Sequence, residues 1–235
     1  MPDRLTHQMT PRLPGSADLP LCGVTVLVVD DSRFACDGLR LMCRRLGARF
    51  RRAESLRAAD AHLRLYRPDV VIVDLGLPDG RGEGLIRALI TQAQRPVVLG
   101  LSGDSRGHLD ALGAGADGYL DKPLESLAKL QDMLLTLLPN RTVPALPLPD
   151  MALVPDPLAL RDDLAYAASL LERDPDAPMR RYVAGFLGGV ARQSHDTRLA
   201  EVARRAQPQD LRTALQARLV LPDHAFAPTV VPLDG

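Results

Sequence analysis

Residues 70–80 read Val-Val-Ile-Val-Asp-Leu-Gly-Leu-Pro-Asp-Gly: an unbroken β-branched run, one carboxylate, then a turn rich in Gly and Pro. Such a run suits a strand buried on both faces, as in a parallel sheet covered by helices. Asp74 then falls where the strand breaks, at the mouth of whatever crevice the sheet builds. Continuous apolar runs recur at 24–29 and 96–101, which predicts three central parallel strands.

Helical periodicity separates these runs. Residues 32–46 carry Phe34, Leu39, Met42, Cys43 and Leu46 at mostly three- and four-residue steps. Ser55 can cap a helix with Leu56, Ala59, Leu63 and Leu65 that ends before Pro68, and residues 82–93 give a third helix. The Arg-rich stretch 48–53 suits a strand at a sheet edge. A short helix at 105–112, a strand at 118–120 and a helix at 124–138 complete the series. Strands each followed by a helix imply a parallel sheet with right-handed crossovers on both faces.

The rest of the chain divides around this unit. Pro2, Pro11, Pro14 and Pro20, with no apolar period, predict a poorly ordered leader over 1–22, before an α/β domain at 23–138. Pro139, Pro144, Pro147, Pro149, Pro155 and Pro157 predict an extended linker over 139–157. Helical stretches at 158–173, 179–193, 197–206 and 209–219 predict a small all-α domain over 158–221, followed by a tail at 222–235.

Lys plus Arg number 29 and Asp plus Glu number 29, so no whole-chain charge favours nucleic acid or an anionic membrane as partner. The apolar runs fall short of the roughly 20 residues of a membrane span, and the start lacks the order of a signal peptide. A cytoplasmic location is expected. Cys22, Cys36 and Cys43 form no CxxC pair, and Cys36 and Cys43 are read as buried small hydrophobes.

In an open parallel sheet, ligands bind beyond the carboxyl ends of the strands. Asp30 and Asp31 end the first expected strand, Asp74 the third and Ser102 the fourth, while Lys122 follows the fifth. Three clustered carboxylates repel one another unless a cation joins them, and a hard divalent ion with oxygen ligands, Mg²⁺ above all, is the economical solution. Lys122 and Ser102 add a fixed positive charge and a hydroxyl, both suited to phosphoryl oxygens. Asp74 is then the nucleophile, with metal and lysine neutralising charge during in-line transfer, and the product is an aspartyl phosphate.

These residues resemble the receiver domain of bacterial two-component response regulators over about 24–138. The resemblance rests on Val-Val-Asp-Asp-Ser at 28–32, Asp-Leu-Gly-Leu-Pro at 74–78, Leu-Ser-Gly at 101–103 and Ala-Gly-Ala-Asp-Gly-Tyr-Leu-Asp-Lys-Pro at 114–123. It implies a flavodoxin-like, doubly wound, five-stranded α/β fold. It further implies that Asp31, Asp74 and the Gly76 carbonyl ligate Mg²⁺, with Asp30 acting through water. Asp74 accepts phosphate from a histidine of a sensor kinase or phosphotransfer protein, and Ser102 and Lys122 bind the phosphoryl oxygens. The Lys122–Pro123 peptide is cis, and Tyr119 matches an aromatic switch that moves inward with Ser102. Gly76 and Asp104 stand at positions that tune dephosphorylation in this family. The protein is then a phosphoacceptor switch rather than a metabolic enzyme.

Output is less sharply written. Residues 102–122 are about two shorter than the family pattern and rich in glycine, so the fourth helix is expected to be short. The apolar arc of Leu127, Leu130, Met133, Leu134, Leu135, Leu137 and Leu138 reads either as a dimer or interdomain contact or as core. From residue 150 onward ten Arg, no Lys and twelve acidic residues give a net of about −2, which disfavours DNA. A divergent helix-turn-helix over 199–219, with Arg204, Arg205, Arg212 and Arg218, is one alternative. Phosphate passing onward through His195 is another. Asp162, Asp163, Asp174 and Asp176 read as solvated helix starts and turns. The favoured output is a helical unit that dimerises or docks on a protein partner.

Overall fold

A computed structural model describes residues 19–124, 126–138, 156–172 and 175–219. The expected linker over 139–157 falls outside them except for Asp156 and Pro157, as do residues 1–18 of the expected leader and the tail at 222–235. Leu19 to Gly23 are described: Leu21 is fully buried and its N–H donates to the Leu46 carbonyl (2.8 Å), so order begins ahead of Val24.

The strands β1 (Thr25–Val29), β2 (Arg49–Ala53) and β3 (Val70–Asp74) precede a two-residue hairpin, β4 (Gly76–Leu77) and β5 (Gly80–Arg81). Then follow β6 (Val97–Ser102) and β7 (Gly118–Asp121). Helices α1 (Arg33–Arg45), α2 (Leu56–Leu65), α3 (Gly82–Ile90), α4 (Gly107–Gly113) and α5 (Leu127–Leu137) alternate with them. The main sheet is parallel in the order β2-β1-β3-β6-β7. β1 hands on to β2 on one side and, through it, to β3 on the other, so the chain reverses direction between β1 and β3 and opens its crevice there.

Alternation along each strand assigns the two faces. Val26, Val28, Val70, Ile72, Leu99 and Leu101 pack with Leu39 and Met42 of α1 and Leu130 and Leu134 of α5. Leu27, Val29, Val71, Val73 and Val98 pack with Ala59 of α2, Ile86 and Leu89 of α3 and Ala111 of α4. Of the apolar arc of α5, Leu127, Leu130, Leu134 and Leu138 are buried in the core, and Met133, Leu135 and Leu137 pack half-buried against it. The Arg-rich β2 takes the sheet edge.

The hairpin after β3 leaves no periodic signal in the sequence. Its turn lets Asp79 cap α2, accepting from the N–H groups of Leu56 and Arg57 (2.9 and 3.0 Å). Gly82 opens α3 so close to β3 that a Cβ there would collide with the Asp74 carbonyl oxygen, an approach open only to glycine.

The C-terminal helices α6 (Pro157–Glu172), α7 (Ala177–Gln193), α8 (Thr197–Arg205) and α9 (Pro208–Leu219) surround their own core of Leu160, Leu164, Leu187, Leu199, Leu211 and Leu215. Phe34, although it belongs to α1, is buried in this second core. The architecture is a doubly wound α/β sheet joined to an all-α unit that docks on α1. Among the described residues no helix is long and apolar enough to cross a membrane.

Candidate functional site

The acidic residues occupy the strand ends flanking the reversal point. Asp30 and Asp31 follow β1, and Asp74 is the last residue of β3; all three side chains are buried. One carboxylate oxygen from each lies within 4.8 Å of the others. Lys122, beyond β7, reaches between them, its Nζ 2.7 Å from Asp30 Oδ2 and 2.7 Å from Asp74 Oδ2. The Lys122–Pro123 peptide is cis.

Backbone and side-chain groups fix these carboxylates. Asp30 Oδ1 accepts from the Ser32 N–H (2.9 Å), and Asp74 Oδ1 accepts from the Gly76 N–H (3.0 Å). From the edge strand Arg52 donates to the carbonyls of Asp30 (3.1 Å) and Asp31 (2.5 Å), which holds the β1 end in shape. Asp31 Oδ2 accepts a hydrogen bond from the Tyr182 hydroxyl of α7. Asp31 Oδ1, also buried, has no hydrogen-bond partner among the described residues. A buried anionic oxygen left without a donor is costly, and a hard cation is the ligand such a donor set fits.

Burial raises Asp31 to about 7, with help from the charge on Asp30 and against the pull of Tyr182 and Lys122. Burial likewise raises Asp74 to about 6, opposed by Lys122. Burial disfavours the Lys122 ammonium, but Asp30 and Asp74 outweigh it and hold that group above its ordinary range. In chelator, the folded chain therefore binds more protons at Asp31 and Asp74 than the unfolded chain between about pH 4 and 7. That stability is present at low pH and lost as pH rises through the folded values. The thermal midpoint in chelator is expected to fall between about pH 5 and 7.5, and less steeply for Asp31→Asn; equal slopes would refute this.

Ser102 ends β6, nearly buried, and its Oγ accepts from the Asp104 N–H (3.1 Å). Tyr119 is buried, its hydroxyl donating to the Ser102 carbonyl (2.9 Å) and its ring meeting His108 edge-on at 5.5 Å. Burial raises its phenol to about 12, so it is a donor at neutral pH. His195 is exposed in the turn after α7.

The helical unit supplies residues that sequence reading does not place at the site. Asp163 is buried, contrary to the solvated role expected for it. It accepts from Ser32 Oγ (2.7 Å) and from the N–H groups of Arg33 (2.9 Å) and Phe34 (3.2 Å), capping α1 from another unit. Its position in the buried series Ala159, Leu160, Asp163, Leu164, Ala167 of α6 is the available signal. Asp162 is exposed and pairs with Arg33, Asp176 caps α7, and Asp174 lies outside the described residues. Arg192 lies against Gly103, where a Cβ would collide with its guanidinium.

Comparison with known proteins agrees with this geometry. Residues 26–135 match the family model described as the response regulator receiver domain. The chain is 36% identical over 151 residues to the KDP operon transcriptional regulatory protein KdpE of Escherichia coli K12, covering 63% of each. It is 34% identical over 114 residues to the transcriptional regulatory protein PhoP of the same strain, covering 46% of this chain and 51% of that one. The matches thus span between about half and two thirds of these relatives. Among solved structures, the chemotaxis response regulator CheY4 of Vibrio cholerae aligns with a TM-score of 0.44 and 30% identity, over 47% of this chain and 98% of that one. Residues 26–135 form a response regulator receiver domain.

Proposed function

We propose that the chain is a two-component response regulator in which Asp74 accepts a phosphoryl group from a histidine of a sensor kinase or phosphotransfer protein. The observation that carries this reading is the buried trio Asp30, Asp31 and Asp74 around one lysine, with Asp31 Oδ1 unpartnered among the described residues. Asp31, Asp74 and the Gly76 carbonyl would hold Mg²⁺, with Asp30 acting through water. The ion supplies charge neutralisation at the transferring phosphoryl group.

The chain's own residues supply the rest. The Gly76 N–H holds one Asp74 oxygen, so the carboxylate enters the reaction already oriented. Lys122 follows developing negative charge as the phosphoryl group lands, and the Ser102 hydroxyl offers a further donor. Tyr119, already hydrogen-bonded to the Ser102 carbonyl, is placed to answer movement of Ser102.

The helical unit passes the signal on by protein contact, through a partner or a second copy. Its arginines support this: Arg205 pairs with Glu201, Arg212 donates to the Leu171 carbonyl and Arg218 pairs with Asp196. Of the four arginines considered for a nucleic-acid backbone, these bonds engage three and leave Arg204.

The test is incubation of the full chain with a small acyl phosphate and Mg²⁺, following label and oligomeric state in wild type and Asp74→Asn. Base-labile, acid-resistant label on wild type alone is expected. Equal label on the variant overturns the assignment of Asp74, and base-stable, acid-labile label at His195 favours a phosphorelay intermediate. A change of assembly confined to labelled wild type identifies the output as self-association.

Gly76→Asn extends the test. A Cβ there meets nothing closer than Asp74 Oδ1 at 4.0 Å, so the side chain fits and brings a carboxamide beside the acceptor. Such a group can orient an attacking water, and the phosphoryl lifetime is expected to shorten severalfold. Identical lifetimes would refute a role for this position.

A further inference from the structure

Helix α7 meets the acidic crevice at two places ten residues apart. Tyr182, near its start, donates to Asp31 Oδ2, and Arg192, near its end, lies against Gly103 beyond β6. Ten helical residues span about 15 Å. The ends of β1 and β6, two strand spacings apart across β3, are separated by about 10 Å. The helix is therefore long enough to cross the mouth above Asp74, and it packs on β4, which begins two residues after Asp74. At three- and seven-residue steps from Tyr182 stand Gly185 and Gly189, whose Cβ positions would meet nothing within 4 Å. Between these glycines Phe186, four residues from Tyr182, packs its ring beside that of Tyr182 at 6.1 Å.

The Tyr182 bond divides the work of the Asp31 carboxylate. Oδ2 is held by the hydroxyl, while Oδ1 is buried without a partner among the described residues. A donor on one oxygen fixes the carboxylate plane and favours the charged form that a cation requires. We propose that Tyr182 is a positioning residue for the divalent cation, orienting Asp31 from the helical unit so that cation occupancy and docking of α7 strengthen each other. This rests on the reading of Asp30, Asp31 and Asp74 as the cation site.

Two features separate this arrangement from incidental packing. The contact falls on the one member of the acidic trio whose carboxylate Lys122 does not bridge, so it completes the set of fixed carboxylates. Docking also has anchors that do not involve Asp31, namely Phe34 in the helical core and Asp163 on the α1 amides. Tyr182 can therefore be altered while the unit stays docked. By reciprocity, whatever factor docking adds to cation affinity, the cation adds to docking. The helical unit then reads the state of the crevice directly, through one hydroxyl.

The experiment is calorimetric titration of Mg²⁺ into the full chain, wild type and Tyr182→Phe, with amide hydrogen exchange of α7 measured in chelator and in saturating Mg²⁺. Loss of an orienting partner behind a metal ligand typically weakens metal binding at least about tenfold, which is the expected result for Tyr182→Phe. Its α7 is expected to remain protected in chelator, and Mg²⁺ is expected to slow α7 exchange in wild type but not in the variant. Equal affinities overturn the proposal and leave the cation site standing. Tighter binding by the variant also overturns it, because Tyr182 would then be a competitor of the ion. No Mg²⁺ binding by either protein defeats both the cation site and this inference. If the variant does not fold, wild-type exchange decides: unchanged α7 protection on adding Mg²⁺ overturns the proposal.

Discussion

Replacement of Lys122 by alanine is expected to cost about 3–5 kcal/mol of folding stability in chelator at neutral pH, because it strands two buried carboxylates that now share one ammonium. The side chain is only 11% exposed, so water cannot take over the role of the lost charge. Protonation of the carboxylates offers the folded chain its remedy, and the loss should therefore be larger at pH 8 than at pH 5. A second remedy is a divalent cation, which should stabilise Lys122→Ala more than wild type. Denaturant unfolding at both pH values, with and without Mg²⁺, measures all of this. A pH-independent loss below about 1 kcal/mol, the worth of an exposed pair, would show that the carboxylates do not depend on the lysine. Acceptance of phosphate should be lost as well, since the charge that follows the transferring group is gone.

Phe34→Ala is the second large effect. The ring grows from a helix of the receiver domain yet is buried among Leu160, Leu164, Leu187 and their neighbours in the helical unit. Emptying such a site costs about 3–5 kcal/mol. Because the ring's neighbours lie across the docking surface, the cost should fall on docking and on the helical core, leaving the sheet intact. Amide exchange is expected to accelerate in α6 and α7 while β1, β3 and β6 stay protected. Leu39→Ala, on the sheet-facing side of the same helix, should loosen the sheet instead. If Phe34→Ala loosened sheet and helices equally, the two cores would be one cooperative unit.

Much of the receiver domain is legible in the amino-acid sequence itself. β1, β3 and β6 stand out because a strand covered on both faces must be apolar at every position, and Asp30, Asp31 and Asp74 follow because polar residues can return only where those strands emerge. The Arg-rich β2 is readable as an edge for the converse reason. The hairpin at Gly76 to Arg81 is not, because a two-residue strand has no period and is defined only by its pairing. Asp163 and Tyr182 escape for a different reason. Their meaning depends on which surface of one unit meets which surface of the other, and local periodicity carries no information about docking. The α5 arc shows the ambiguity from the opposite side, since Leu127, Leu130, Leu134 and Leu138 line the core while Met133, Leu135 and Leu137 of the same arc are only half-buried.

The cap that Asp163 places on α1 has a consequence for how such a protein can be rearranged over evolutionary time. Signalling chains are often pictured as interchangeable beads, any sensor module joined to any effector by a change of linker. Here the start of α1 borrows its acceptor from α6, and Phe34 borrows its surroundings from α6 and α7. Exchanging the helices for a foreign module would leave three donors unanswered and an aromatic ring in water. The two halves are therefore expected to be inherited together, with compensating changes at 34, 163 and their neighbours rather than free recombination at the join.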